Sequence, residues 1–464
     1  DYYYIHKLNL KMTEIIINSV IFFIVFLSSI FFVFRLKNVG KGYKIFFVSY
    51  ILFWIPLKML REYTSVIQNQ IDPSIVWLPL MSYGLIGIFI RPFVDYLSLY
   101  LRNRKIILYA AVLIGIVSFI PISIVQTTAT NTIQSIGVGV GASMIGTYEL
   151  MFKEQYTKNR SFLTVSIMAF PPLLADFIGA PIQSIIKVSA ISQNTPQMYN
   201  FMLSIMWMIG IAIFLIVFIV LWCVKENRML VGIIRTNNKI KNSYTQLSFF
   251  VLLCIVGFLI AFIKFSNSGS IATLTIENLA ENQGIKNQVS SIQGYIASLF
   301  SFFQLLGTLF VSMFLIKKTS KIISFTVGIV CWIIFELVVS FNQNPYVYFG
   351  ISSLNGFAYG ILYNLVLAFI LTLSFENKKL KNGRYEIRKI SPMGIYQAIL
   401  AVGIASSSFF TTYLKTVLVS TNSYMTVNLS ILAFIIGLEI MYYIVYLLDK
   451  KSFFNQQINL KQIK

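Results

Sequence analysis

Three basic residues lie inside apolar segments of this chain, where a bilayer makes an isolated charge costly. Lys58 and Arg61 are three positions apart, so a helix carries both on one face, and Lys264 ends another long apolar run. A charge at the bilayer centre costs about 2.5–3.5 kcal/mol on insertion scales and usually faces a cavity or a partner. Arginine offers an anion a planar fork and lysine a compact charge, so the three residues are candidate ligands of phosphate, a phosphate ester or a carboxylate.

A second interpretation of these cations stays open. All three are predicted in the outer halves of their helices, from which a long side chain can reach the membrane surface. Glu62 follows Arg61 directly and could neutralise it. Cavity lining and surface reach are therefore both compatible with the sequence.

One acidic residue lies among helix-breaking residues. Asp176 is between Pro171 and Pro181, where interrupted backbone hydrogen bonding could let a carboxyl group face water. It is a candidate to carry a coupling proton or to counter a cation, and pairing with Arg61 or a backbone group is the structural alternative. Three other acids are interpreted mainly as hydrogen-bonding residues between helices: Glu149, Glu336 and Glu439.

Thirteen apolar segments of about the 20 residues that a bilayer requires occupy most of the chain. They are predicted at 14–34, 45–66, 75–97, 106–126, 131–152, 161–187, 200–223, 246–266, 290–316, 322–342, 346–374, 392–414 and 425–448. Basic residues concentrate in alternate gaps, which the positive-inside rule assigns to the cytoplasm. We therefore expect an integral membrane protein of a bacterial-type plasma membrane, with its N-terminus outside and its C-terminus cytoplasmic.

Composition limits the possible functions. With 57% hydrophobic and 11% charged residues and a mean hydropathy of +0.76, no separate soluble domain is expected. The net charge of +21 lies in short loops beside anionic lipid headgroups, so nucleic acid is not an expected partner. Three scattered cysteines and a single histidine indicate no metal and no redox cofactor, and no motif indicates an enzyme. A monomer is the default expectation.

The long basic gap after residue 224 divides the chain. Setting the first apolar segment aside leaves twelve, six on each side of this gap, which is typical of a two-bundle secondary transporter. The predicted organisation is an extra transmembrane helix with its linker, a six-helix bundle, a basic central loop, a second six-helix bundle and a tail, at 1–44, 45–224, 225–245, 246–449 and 450–464.

The loop that ends at Arg104-Lys105 resembles the signature Gly-x3-Asp-Arg-x-Gly-Arg-Arg/Lys of the major facilitator superfamily. The terminal pair matches, and segment 307–321 holds the equivalent place in the second half, where a lysine is again followed by Ile-Ile. Three positions depart from the signature: Tyr96, Tyr100 and Asn103. A short cationic hairpin of this kind can pair with the neighbouring half and hold a gate. The candidate gate residues are Arg91, Asp95, Arg104 and Lys105, although Arg91 could instead reach the headgroups.

The resemblance implies an all-α, major-facilitator-type bundle of two six-helix halves, with one extra N-terminal transmembrane helix here. Within that superfamily the chain is similar to the organophosphate:phosphate antiporters, which carry an essential basic residue on the first helix of each half. Arg61 and Lys264 occupy these places, with Lys where that group has Arg. The expected substrate is thus an organic or phosphorylated anion bound by Arg61 and Lys264 with help from Lys58.

Two other functions remain open. One is proton-coupled transport of a neutral or cationic small molecule, including drug-type efflux, through Asp176. The other is a membrane scaffold that keeps the fold without transport. Further candidate contacts are Tyr359, Tyr363, Asn355, Asn364 and Gln397, although Gly356 and Gly360 make helix packing an equal explanation for this stretch. The glycines at 137, 139, 141 and 146 are expected to serve close helix packing.

Overall fold

The computed structural model of this chain is almost entirely helical in the part that it describes. That part comprises 39–61, 63–101, 103–157, 161–191, 196–226, 244–268, 289–310, 321–342, 344–374, 392–417 and 423–448, with short pieces of 16–35 and 275–284. Its long helices are α1 (Tyr43–Arg61), α2 (Thr64–Ile71), α3 (Trp77–Tyr100), α4 (Lys105–Ile124), α5 (Thr128–Ala142), α6 (Ile145–Phe152), α7 (Ser161–Met168), α8 (Phe170–Ile191), α9 (Pro196–Cys223), α10 (Tyr244–Ser268), α11 (Val289–Phe310), α12 (Lys321–Phe341), α13 (Pro345–Ser374), α14 (Pro392–Val417) and α15 (Ser423–Leu448).

These helices form two six-element halves. In the N-terminal half, two elements are each built from two helices: α5 with α6, and α7 with α8. The first element comprises α1 and α2, between which residue 62 lies outside the described part. The C-terminal half consists of α10 to α15. Among the described residues, nine helices are long and apolar enough to cross a membrane, and the chain is an integral membrane protein with the predicted fold.

The outward faces of the bundle are apolar, as lipid requires. Trp222, Ile124 and Phe89 are 78%, 75% and 72% exposed. Such exposure would be unfavourable in water but suits hydrocarbon, since a helix satisfies its own backbone groups. The described pieces of 16–35 are helical and also expose apolar side chains, and the Tyr43 hydroxyl donates to the Val33 carbonyl at 2.8 Å.

The predicted domain boundaries are only partly covered. Much of 1–44, of the central loop 225–245 and all of the tail 450–464 lie outside the described residues. The extra N-terminal helix and the division into domains therefore stay predictions.

Two long helix pairs join the halves: α3 packs on α14, and α8 packs on α11. At Gly84 on α3, an added Cβ would lie 2.6 Å from the backbone nitrogen of Ala405 on α14, so only glycine permits this approach. The Ser408 hydroxyl also donates to the Trp77 carbonyl at 3.3 Å. These pairs form the main contacts between the two halves.

Glycines also bring helices together within each half. An added Cβ at Gly356 or Gly360 of α13 would lie 2.1 or 2.2 Å from a carbonyl oxygen of α11. Three glycines of α5 likewise meet neighbouring elements at distances below 3 Å: Gly137, Gly139 and Gly141. The packing prediction is confirmed for these positions, whereas Gly146 has nothing within 4 Å.

Candidate functional site

A cavity of about 110 Å³ lies between the two halves. Both halves contribute to its wall, and the three cations named from the sequence, Lys58, Arg61 and Lys264, all line it. Arg61 is the last described residue of α1, and Lys264 lies near the end of the described part of α10. The pseudo-equivalent first elements of the two halves thus present cations to one space.

Lys58 has an acidic partner. Its ammonium group donates to Asp176 Oδ2, and the two side chains are 9% and 6% exposed. The Ser301 hydroxyl on α11 donates to the same oxygen at 2.6 Å. Asp176 therefore counters a cation on α1 and also contacts the opposite half.

Lys264 and Arg61 lie against aromatic rings. The Lys264 ammonium is 4.0 Å from the ring centre of Phe265, 5.3 Å from Phe300 and 5.4 Å from Tyr359. The Arg61 guanidinium is 5.7 Å from the Phe265 ring. A ring face attracts a cation without adding a negative charge, and Lys264 is only 5% exposed.

The opposite end of the cavity contains Arg91. Its Nη1 donates to the Gln397 carbonyl at 2.8 Å and to Gln397 Oε1 at 3.2 Å, which links α3 to α14. Its buried Nε has no hydrogen-bond partner in the described part of the chain. Glu149 and Asn364 line the same cavity. Arg91 thus lines the cavity and also contacts the opposite half.

Asp95 lies one helical turn beyond Arg91, against the start of α14. A Cβ placed on Gly394 would be 2.8 Å from Asp95 Oδ2, so this glycine lets the carboxylate reach the first turn of the helix. The N-terminus of a helix carries a partial positive charge that favours an anion there. Arg91 and Asp95, both on α3, therefore each lie against α14 of the opposite half.

Arg104 and Lys105 make different contacts. The Arg104 backbone nitrogen and Nε donate to Glu226 at 2.7 Å each, and the Lys105 ammonium donates to the Val224 carbonyl at 2.8 Å. These contacts join α4 to the end of α9 within the N-terminal half. They hold a helix end rather than the opposite half, and a gating role for this pair stays a prediction.

Several other sequence candidates also have defined places. Tyr359, Tyr363, Asn364 and Gln397 line the cavity, whereas Asn355 accepts a hydrogen bond from Trp332 at 2.8 Å. Glu439 accepts one from Thr326 at 2.8 Å, which is the inter-helix role predicted for it. In the described residues, no group of three His, Cys, Asp or Glu side chains could hold a metal ion.

Sequence reasoning underestimated Glu149, which it placed among the residues between helices. Glu149 lines the cavity and is 3% exposed. Sequence reasoning did not identify three further lining residues: Trp54, Tyr83 and Gln304. Trp54 precedes Lys58 by four positions on α1, and this helical spacing is the signal that could have revealed it.

Comparison with known proteins identifies the fold. No family model and no curated protein sequence matches the chain. Among solved structures it is similar to the human organic anion transporter MFSD10 (TM-score 0.61, 10% identity, covering 86% of this chain and 97% of that one). It is also similar to the E. coli fucose:proton symporter FucP (0.57, 13%, 87% and 99%) and the nucleoside transporter NupG (0.55, 14%, 87% and 97%). The chain therefore has the fold of major facilitator superfamily transporters.

Proposed function

We propose that this protein is a secondary active transporter that moves a small organic or phosphorylated anion by alternating access. The observation that carries the proposal is the convergence of Arg61 and Lys264, from pseudo-equivalent helices, on one cavity between the halves. A site at the interface of two halves can be exposed to either side by rocking one half on the other.

The charges around the cavity favour an anion. Its described lining contains Lys58, Arg61, Arg91 and Lys264 against Glu149. With Asp176, the partner of Lys58, counted as a second acid, the four cations outnumber the two carboxylates by two. A surplus of positive charge in a water-poor space attracts anions and opposes cations.

The similar structures support transport, and one supports this class of substrate. MFSD10 is by name an organic anion transporter. FucP and NupG carry fucose and nucleosides, so the fold itself does not choose the substrate. Here the lining residues supply that choice. Lys264 in place of Arg offers a compact charge, which suits a carboxylate as well as a phosphate ester.

The contacts of Arg91 and Asp95 with α14 suit a gate that is closed at this end of the cavity. The same end of α3 leads to the basic loop with Arg104 and Lys105, which the positive-inside rule assigns to the cytoplasm. The proposal therefore places a closed gate on the cytoplasmic side of a plasma membrane, with the N-terminus outside and the C-terminus inside.

Proton-coupled transport through Asp176 is the second candidate. The ion pair with Lys58 favours it in one respect, because protonation of Asp176 would remove the charge that holds Lys58 and the hydroxyl of Ser301. Asp176 does not, however, appear among the residues that line the cavity. A scaffold without transport is disfavoured because the cavity wall is charged.

The test measures binding and exchange of anions by the purified full chain. Inorganic phosphate, glycerol phosphate and benzoate are the probes, in thermal-shift titrations and proteoliposome exchange. We expect Arg61→Gln and Lys264→Gln each to weaken binding at least tenfold, since a hydrogen bond to a charged group is worth about 1.5–3 kcal/mol. Lys41→Gln, at an exposed position outside the cavity, is the matched control. Equal binding by native chain and both variants would refute the proposal.

A further inference from the structure

The cavity that holds the cations is also lined by aromatic side chains from both halves. Trp54 and Tyr83 come from the N-terminal half, and Phe265, Tyr359 and Tyr363 from the C-terminal half. Hydrated anions such as phosphate require hydrogen-bond donors rather than ring faces. The wall therefore indicates a ligand with an apolar, planar part beside its charge.

Two of these rings form a ladder along α13. Tyr359 and Tyr363 are stacked, with ring centres 5.2 Å apart and planes at 25°. They are four residues apart, or about 6 Å along the helix axis. Because Lys264 lies 5.4 Å from the Tyr359 ring, the ladder begins at the cation end of the cavity and leads away from it.

The far end of the ladder holds two buried acceptors beside the cation Arg91, whose buried Nε is an unpartnered donor among the described residues. Asn364 donates through Nδ2 to Thr308 Oγ1 and to the Gly360 carbonyl, which leaves its buried Oδ1 without a partner in the described residues. Glu149 Oε2 is likewise buried and has no partner there. Buried acceptors of this kind are normally satisfied, so both suit a ligand that donates hydrogen bonds.

We infer that the cavity binds a single-ring aromatic anion that carries a hydrogen-bond donor at the end remote from its charge. Its acidic group lies between Arg61 and Lys264, its ring lies against Tyr359 and Tyr363, and its donor faces Glu149 and Asn364. The cavity of about 110 Å³ is smaller than the about 150 Å³ that accommodates benzene, so a ring with two end groups requires the cavity to open further than in this structure. The inference rests on the proposed function and specifies its substrate class.

Three carboxylates of equal charge test the inference by calorimetry on the purified full chain. 4-Aminophenylacetate has a ring and a donor, phenylacetate has the ring alone, and cyclohexylacetate has neither a planar ring nor a donor. We expect affinity to fall in this order, by about two- to tenfold at each step, which is the usual worth of a ring contact and of a hydrogen bond.

Variants at Tyr359 and Asn364 test which residues cause the preference for a planar ring and the preference for a hydrogen-bond donor. Tyr359→Leu should bind phenylacetate and cyclohexylacetate equally, whereas Tyr359→Phe should keep the difference. Asn364→Leu should reduce only the advantage of the amino group. Tyr443→Leu, at a tyrosine that is 51% exposed on the outer face, is the control that leaves all three affinities unchanged.

The outcomes separate this inference from the proposal beneath it. If the native chain binds phenylacetate and cyclohexylacetate equally, and Arg61→Gln loses both, the aromatic ligand is wrong and the anion site stands. If the native chain binds none of the three carboxylates and no phosphate ester, the anion site fails and the inference fails with it.

Discussion

The two halves of the molecule differ beside the cavity. In the N-terminal half, two elements are interrupted near the cavity wall: α5 ends before Ile145, and α7 ends before Ala169. In the C-terminal half, α13 runs past the cavity as one uninterrupted helix from Pro345 to Ser374. Discontinuous helices in a membrane are tolerated where they line a cavity, and transporters use them at binding sites.

The cations are held differently in the two halves. Lys58, in the broken half, is held by a carboxylate on α8, whereas Lys264, in the continuous half, lies against rings of α10, α11 and α13. An ion pair can be separated by protonation or by a competing anion, and ring contacts cannot be protonated away. The comparison suggests a pliable N-terminal half that closes on a ligand held by a firmer C-terminal half.

The largest expected effect comes from the ion pair. Asp176→Asn or Lys58→Met leaves the other charge buried without its described partner, and breaking such a pair costs about 3–5 kcal/mol. We expect either single variant to lower the free energy of unfolding in mild detergent by this amount. Chemical denaturation followed by tryptophan fluorescence measures it.

The double variant Lys58→Met with Asp176→Asn is the control for this pair. It removes both charges, so most of the lost stability should return. If the double variant is as unstable as the sum of the singles, the pair does not carry the stability assigned to it. The result also affects the test of proton-coupled transport. Asp176→Asn removes the charge that pairs with Lys58, so a loss of transport in this variant would not by itself identify Asp176 as a proton carrier.

The sequence was sufficient for the fold and for the cations, for a physical reason. Helix length, apolar content and loop charge are local properties that a bilayer constrains strongly, so 425–448 was predicted where α15 runs from Ser423 to Leu448. The depth of a residue along its helix can also be inferred from the sequence. This depth predicts that Arg61 and Lys264 lie at the same level of the bundle. The direction in which a side chain points around the helix axis depends on how neighbouring helices pack. The sequence does not contain this information, so it did not reveal that Glu149 faces the cavity.

Pairing across the halves could not be predicted either. Asp176 was considered a partner for Arg61, and the structure pairs it with Lys58 instead, because the rotation of α8 relative to α1 selects among residues one turn apart. Ser301 carried no signal at all, since serine is common in membrane helices. The sequence left ligand contact and helix packing open for the glycine-and-tyrosine stretch of α13, and the helix fulfils both: its glycines pack on α11 and its tyrosines line the cavity.

A smaller effect is expected where the two halves meet at Asp176. Ser301→Ala removes the 2.6 Å hydrogen bond to its carboxylate, and a bond to a charged group is worth about 1.5–3 kcal/mol. Because this bond joins the halves, we expect its loss to shift the balance between conformations more than the stability of either half. Double electron–electron resonance between spin labels at Asn103 and Ile395 should show a changed distance distribution.

Ser406→Ala is the matched control for this variant, since the Ser406 hydroxyl donates within its own helix to Val402 at 2.7 Å. Its distance distribution should equal that of the native chain. An unchanged distribution in Ser301→Ala as well would mean that the α8–α11 contact does not influence the opening of the halves.

The smallest expected effect on stability, and the most direct test of the broken half, comes from the prolines at the start of α8. Pro171 and Pro172 have no backbone N–H, and a proline ring clashes with the carbonyl four residues earlier, which favours the interruption between α7 and α8. The double variant Pro171→Ala with Pro172→Ala can restore two hydrogen bonds, each worth about 1 kcal/mol. If the break provides pliability, the variant should be slightly more stable, should bind anions with native affinity and should exchange them more slowly in proteoliposomes. Equal exchange rates would show that the α7–α8 break is not where the N-terminal half bends, and the difference between the halves would then rest on the interruption after α5.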